Sequence, residues 1–389
     1  MKEVRLGIVG TGGMGSAHAR SIIAGKVPRM RVSAVCDLVP SKMEQFSSDI
    51  LRFEKSADLI ASDAVDAVLV ATPHYGHTTV GIETLKGGKH LLVEKPISVH
   101  KADAQRLIAA HTDKKLVFAA MFNQRTDGYY RKVRAMIQAG ELGELVRVNW
   151  VVTNWFRTQC YYESGGWRAT WKGEGGGVLL NQCPHNLDLL QWLCGMPVKM
   201  RAFCNLGKRH NIEVEDEVTA YFEYANGATG VFITATGEAP GVNRLEICGD
   251  RGRLVVESGK ITFYRTEVSV KQFKDETKAM FASPELWTID VPPARGGGGQ
   301  HNEILTNFAD AILDGTPLVA PAAEGIHSVE LATSMLLSSM TGETIDLPMD
   351  PARYEAHLMG LIARSSFEKK TESGAKPQDL ASSFNTNPK

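Results

Sequence analysis

The 389-residue chain contains no CxxC spacing. Its six cysteines, Cys36, Cys160, Cys183, Cys194, Cys204 and Cys248, stand apart from one another, which excludes a zinc knuckle or a redox pair and leaves free thiols, the ordinary state in a reducing compartment. There is no block of like charges and the formal net charge is −1, so the electrostatic footprint of a nucleic-acid or anionic-membrane binder is missing. No apolar run is long enough to cross a bilayer. The opening Met1-Lys2-Glu3-Val4-Arg5 lacks the charged-then-apolar pattern of a secretory signal. The expectation is a cytoplasmic protein without nucleic-acid or membrane partners. His74 and His77 have HxxH spacing, but no third ligand of matching character lies nearby, so no metal is expected.

What is present is an ordinary globular composition, 43% hydrophobic and 22% charged, on a chain longer than one core usually grows. Two domains are expected. An apolar run, Val4 to Val9, leads into Gly10-Thr11-Gly12-Gly13-Met14-Gly15, which matches GxGxxG, and a helical stretch follows. Following a strand and opening a helix, the pattern predicts a pyrophosphate site at the helix N-terminus. A second strand ends at Asp37, where a carboxylate accepts hydrogen bonds from ribose hydroxyls and repels a 2′-phosphate. Leu38 and Val39 after it offer no arginine, which favours NAD over NADP. Strands at Val65 to Ala71, Leu91 to Val93 and Leu116 to Met121 alternate with helices, predicting a doubly wound parallel sheet over residues 1–122. The third of these five strands is closed by Thr72-Pro73-His74-Tyr75-Gly76-His77. The fourth ends in Glu94-Lys95-Pro96, charges at a strand end on the rim where such sheets bind ligands.

The order GTGGMG, Asp37, Ala71-Thr72-Pro73 with His77, and then Gly87 through Glu94-Lys95-Pro96 resembles the glucose-fructose oxidoreductase/inositol dehydrogenase/rhizopine catabolism (Gfo/Idh/MocA) family over nearly the whole chain. The resemblance implies an α/β protein: an N-terminal Rossmann domain, then an α/β domain with an open, mostly antiparallel sheet. It also implies a cis peptide before Pro96. The cofactor set expected from the glycine motif, Asp37 and the resemblance is Gly10, Thr11, Gly12, Gly13, Met14, Gly15, Asp37, Thr72, Pro73, His77, Glu94, Lys95, Asn123, Trp167 and Arg168.

Beyond residue 122 the pattern changes to strands with hairpin signals. Asn226-Gly227 is a two-residue turn candidate, and Gly249-Asp250-Arg251-Gly252 another. An open sheet needs one face covered, and in the family it often packs against a partner subunit, so a homo-oligomer, dimer or tetramer, is expected over a domain of residues 123–364. The polar residues 365–389 read as a disordered tail. From Trp150 to Trp171 there are seven aromatics, including four of the six tryptophans, with Arg157 and Arg168 among them. Aromatic faces stack on sugar C–H groups and Arg or Tyr tips bind hydroxyls or an anionic substituent; inter-domain packing accounts for about half of them. At 100° per residue Asn181, His185, Asp188 and Trp192 share one helix face, although Pro184 predicts that the helix kinks or begins there. The family pattern at these positions is Asp, His, Asp; here Asn181 replaces the first, and an amide cannot take a proton.

The expected function is NAD-dependent oxidation of a secondary hydroxyl of a sugar, glycoside or cyclitol, with C3 of a hexopyranoside favoured. His185 is the expected acid/base, since imidazole titrates near neutrality. Lys95 would bind the same oxygen and stabilise alkoxide character, and Asn181 would fix the substrate. Tyr161, Arg168, Lys95, Asn181 and His185 form the expected substrate set. Two alternatives use the same residues: an NAD-dependent glycosidase acting by transient C3 oxidation and elimination, and a non-enzymatic NAD- and sugar-sensing regulator.

Overall fold

The computed structural model describes residues 2–369. In the first domain β1 (Val4–Val9), β2 (Met30–Cys36), β3 (Leu51–Phe53), β4 (Ala67–Val70), β5 (His90–Val93) and β6 (Phe118–Ala120) form a six-stranded sheet in the order β3-β2-β1-β4-β5-β6. Every pair is parallel. The strands are near-continuous Val, Leu, Ile and Ala because helices cover both faces: α1 (Gly13–Ile23), α2 (Ser56–Ala61), α3 (His74–Lys86) and α4 (Lys101–Ala110). The order reverses between β1 and β4, so the crevice where ligands bind opens beyond Val9 and Val70. β3, three residues long, carried no sequence signal of its own.

The second domain starts with α5 (Gly128–Gln138), β7 (Leu145–Val152), α6 (Gln159–Glu163) and α7 (Pro184–Cys194). Its nine-stranded sheet adds β8 (Lys199–Leu206), β9 (Glu215–Glu223), β10 (Thr229–Ala235), β11 (Asn243–Gly249), β12 (Gly252–Glu257) and β13 (Lys260–Thr266). After α8 (Val270–Glu276) comes β14 (Leu286–Val291), then α9 (Gln300–Asp314), α10 (Gly325–Thr341), β15 (Ile345–Asp346) and α11 (Pro351–Arg364). The strand order is β14-β13-β12-β11-β7-β10-β9-β8-β15, and all pairs are antiparallel except β7 with β10. One sheet face packs on α10, against which α7 lies; the other leaves Phe203 and Tyr221 exposed.

Several local expectations are refined. The Asn226-Gly227 connection spans three residues rather than two: the Tyr224 N–H donates to the Ala228 carbonyl, and the Gly227 N–H to the Tyr224 carbonyl, with Gly227 at φ 85. That is a tight turn closed by a left-handed residue, which glycine adopts without steric cost. β7 ends at Val152, so most of the aromatic-rich stretch runs outside the sheet. Helix α7 begins at Pro184, as the proline requires, so Asn181 lies in the turn before it and the shared-face geometry does not extend to that residue. The chain also returns: Ile304, Leu305 and Phe308 of α9 are buried in the core of the first domain, and Ala119 bridges to Pro321. Of the expected tail, Ser365 donates to Glu213 at 2.5 Å and Lys369 reaches the carbonyl of Arg168 at 2.7 Å; residues 370–389 lie outside the described residues.

Candidate active site

At the switch point the backbone does the work. Gly10 has φ 96 and lies so close to β4 that a Cβ would sit 2.6 Å from the Ala71 carbonyl oxygen; a Cβ on Gly15 would strike the Gly10 carbonyl oxygen at 1.9 Å. Only glycine lets the loop hug both neighbours and start α1 at Gly13. A cavity of about 680 Å³ runs from here, lined at one end by Gly10, Gly12, Gly13, Met14, Asp37, Leu38 and Val39. Asp37 Oδ2 accepts from the Thr11 N–H (2.9 Å) and Oγ1 (3.0 Å), and Oδ1 from the Val39 N–H (3.0 Å). These bonds aim the carboxylate while leaving lone pairs for a diol. Lys42 comes within 3.7 Å of Asp37, a basic neighbour that the adjacent sequence did not reveal. Thr11 and Gly15 do not line the cavity; they shape the residues that do. A long cavity with free N–H groups at a helix start and a fixed carboxylate at the next strand end suits a dinucleotide.

The middle of the wall comes from the ends of β4 and β5. Thr72, Pro73, His74 and His77 line it, followed by Glu94 and Lys95. The His77 ring lies between the carbonyl oxygens of Pro96 (2.7 Å) and Thr72 (2.8 Å), tying the two strand ends together, and the Lys95–Pro96 bond is cis. His74 Nδ1 is engaged by the Glu174 carbonyl (3.1 Å), so both histidines of the HxxH pair are set against backbone carbonyls. Glu94 is buried; burial pushes its carboxyl up, but the hydrogen bond and charge of His18, 2.7 Å away, hold it at about 2. Its other oxygen accepts from the Lys95 N–H at 3.1 Å.

Lys95 Nζ donates to the backbone carbonyl of Asn181 at 2.8 Å, the contact that joins the domains at the reacting end. Burial pushes this ammonium down to about 8; Glu94 opposes the shift and Arg168 reinforces it. The Asn181 side chain is clamped on both sides: its Nδ2 donates to Glu174, and its Oδ1 accepts from the Tyr161 hydroxyl at 3.3 Å. Tyr161 also receives Arg168 (2.9 Å) and Gln182 Nε2 (3.2 Å). It rides on α6, which is capped by Thr158 and pinned by the buried Tyr162 hydroxyl on Thr236 at 2.8 Å. Trp167 and Arg168 complete the wall, the guanidinium 4.5 Å from the indole centroid and 4.7 Å from that of Tyr161.

Two expected residues at this end, His185 and Asn123, stand off the wall. His185 is 1% exposed and absent from the cavity wall; burial, then the Lys95 charge, push its imidazole well below the ordinary value, so it is neutral at physiological pH. Asn123 is likewise enclosed, donating to Gln300 at 2.7 Å. Asp188, on the polar face of α7, is spent on a bidentate pair with Arg125 (2.7 and 2.6 Å), which ties α7 to the turn that opens the second domain. Conversely, sequence reasoning missed Glu174, His74, Gln182, His18 and His301. Glu174 is 1% exposed, and burial raises its pKa against the pull of Arg168 and the Ala169 N–H. The glycines after it make its position possible: a Cβ on Gly175 would meet Val99 at 2.1 Å. A lone acid before Gly175-Gly176-Gly177 reads as a solvated turn, so only the packing discloses it. The His301 ring lies 5.4 Å from that of His18, and burial brings it to about 4.

A switch-point dinucleotide cleft whose rim lysine, Lys95, meets the second domain at Asn181 has the build of a two-domain nicotinamide-nucleotide oxidoreductase. Residues 4–122 match the oxidoreductase family with an NAD-binding Rossmann fold, and residues 130–255 match the GFO/IDH/MocA C-terminal domain. The chain belongs to this family of oxidoreductases, and its cofactor is NAD. It is 24% identical over 397 residues to levoglucosan dehydrogenase of Pseudarthrobacter phenanthrenivorans, covering 90% of this chain and 99% of that protein. It is 29% identical over 265 residues to an inositol 2-dehydrogenase of Rubrobacter xylanophilus, covering 66% and 72%. The solved WlbA dehydrogenase of Bordetella pertussis, in complex with NADH and UDP-GlcNAcA, superimposes with a TM-score of 0.75 at 24% identity over 90% of this chain and 100% of that one. Levoglucosan dehydrogenase in complex with NADH gives 0.73 at 20% identity over 90% and 100%. At these identities the structural likeness establishes the fold. Among the described residues no helix is long and apolar enough to cross a membrane.

Proposed function

We propose that the protein oxidises a secondary hydroxyl of a sugar, glycoside or cyclitol, with C3 of a hexopyranoside the favoured position. The observation that carries this reading is the Lys95 ammonium on the cavity wall, held by the Asn181 carbonyl at 2.8 Å beside hydroxyl- and amide-bearing side chains suited to a polyol. When bound, NAD supplies the hydride acceptor. Gly12, Gly13 and Met14 would hold its pyrophosphate at the start of α1, and Asp37 its ribose diol. Thr72, Pro73 and Glu94 would flank the nicotinamide end, with Trp167 closing over it.

Lys95 hydrogen-bonds the carbinol oxygen, and its pKa, brought to about 8, gives it at mildly alkaline pH a neutral amine form that takes up the hydroxyl proton and becomes the ammonium. His185, which the sequence set on the same oxygen as Lys95, is buried and neutral, so uptake of the proton falls to the lysine. Asn181 offers the substrate an orienting amide and cannot itself accept the proton. NADH formation across methyl glycosides, free hexoses and inositols tests the reading. Turnover confined to inositols removes the C3 glycoside assignment; aglycone release without net NADH favours the glycosidase reading; binding of NADH without turnover of any polyol favours the regulator. The uncovered sheet face with Phe203 and Tyr221 supports a homo-oligomer, dimer or tetramer, and light scattering that returned the mass of one chain would overturn it.

A further inference from the structure

The substrate end of the cavity carries more positive charge than the wall neutralises. Arg157 and Arg168 both line it, and both have their guanidinium groups over the Tyr161 ring, at 5.1 and 4.7 Å. Their hydrogen bonds go to neutral groups: Arg157 to the Phe156 carbonyl at 2.9 Å, Arg168 to the Tyr161 hydroxyl at 2.9 Å. Among the described residues neither forms an ion pair with a carboxylate, whereas the buried Arg125 has two such partners. The nearby carboxylates have other commitments. Glu94 is held by His18, and Glu174 by Asn181 and the Ala169 N–H. Two guanidinium groups stacked on one aromatic ring repel each other, and a fold retains that arrangement most readily when an anion joins them. The cofactor does not supply it: its pyrophosphate belongs at the start of α1, at the other end of the cavity, with Gly12 and Gly13.

Resting on the dehydrogenase reading above, we infer that the substrate is an anionic carbohydrate, a sugar bearing a carboxylate or phosphate, whose charged group is received by Arg157 and Arg168 while its reacting hydroxyl faces Lys95. The geometry is continuous: Lys95 touches Asn181, Asn181 touches Tyr161, and Tyr161 touches Arg168. Gln182, 3% exposed on the same wall, has an Oε1 with no donor among the described residues, an acceptor suited to a ring hydroxyl. Guanidinium forks bind carboxylate and phosphate oxygens in pairs, which a neutral hydroxymethyl group cannot reproduce.

The test compares NADH formation by the full-length enzyme with methyl β-D-glucopyranoside, methyl β-D-glucuronide and D-glucose 6-phosphate. The expected result is a kcat/KM about 10- to 100-fold higher for one of the two charged substrates than for the neutral one, the range of a charge-assisted pair of hydrogen bonds. Which of the two is preferred separates carboxylate from phosphate. Arg157→Gln should erase most of that preference and the salt dependence that accompanies it, with the variant's melting temperature reporting that it still folds. Equal or better turnover of the neutral glycoside overturns this inference and leaves the dehydrogenase reading standing. Absence of NADH with every polyol overturns both.

Discussion

The two ends of the cavity are built on different principles. The cofactor end uses backbone: Gly12 and Gly13 contribute N–H groups, Gly10 contributes space, and one side chain, Asp37, is aimed by three hydrogen bonds from its neighbours. The substrate end uses side chains drawn from β5, α6 and the turns before α7, each oriented by another side chain or a distant carbonyl. A backbone site depends on local geometry and tolerates few residue types. A side-chain site depends on pairs, so its properties belong to the pair and change when either member does.

The strongest way to separate the two ends is Lys95→Ala. It should lower kcat by about 10³-fold, the scale of losing a proton-handling and alkoxide-stabilising group, while NADH titration shows the cofactor still bound. Loss of NADH binding in parallel would mean the ends are not independent. Acid should expose the same division in stability. His301, with a folded value of about 4 against 6.5 in the unfolded chain, binds fewer protons when folded. Its contribution is therefore present above pH 6.5 and lost as the pH falls towards 4, by about 3 kcal/mol in urea unfolding. His74 and His185, shifted the same way by burial, steepen the fall, and His301→Asn should flatten it.

At the cofactor end, Asp37→Ala should weaken NAD about 10- to 100-fold, the cost of lost charge-assisted hydrogen bonds, and narrow the preference over NADP because Lys42 remains. Isothermal titration with both cofactors measures it, and unchanged NAD affinity would break the assignment. The smallest effect tests the pair logic. Asn181→Asp would set a second carboxylate against Glu174, and two such groups in contact do not both ionise. The single variant should lose about 1–3 kcal/mol of stability, and adding Glu174→Gln should recover at least half. A fully additive double variant would show that the two residues do not act together.

This division also explains what could be read from the chain. Gly10 to Gly15, Asp37 and Glu94-Lys95-Pro96 are short, local patterns whose meaning survives without a partner, and the parallel sheet followed from apolar runs alternating with helices. Asn181 could be recognised as a departure, but not the reason for it, because Glu174 comes to it through a glycine turn packed on Val99. His185 was legible as a histidine on a polar helix face; its burial depends on how α7 sits beneath the cleft, which periodicity does not encode. Asp188 looked like a site residue because its partner Arg125 is 63 positions away.

Lys369 fastens the wall from outside, its ammonium placed on the backbone carbonyls of Gly165 and Arg168. Because it reads main-chain oxygens, the side chains of the loop between them are not part of the fastening. Mutation can therefore retailor the residues facing the substrate, Trp167 among them, without unhooking the loop that presents them. The arrangement favours divergence: new specificities become reachable one exchange at a time, while the far end of the cavity keeps its fixed grip on the nucleotide.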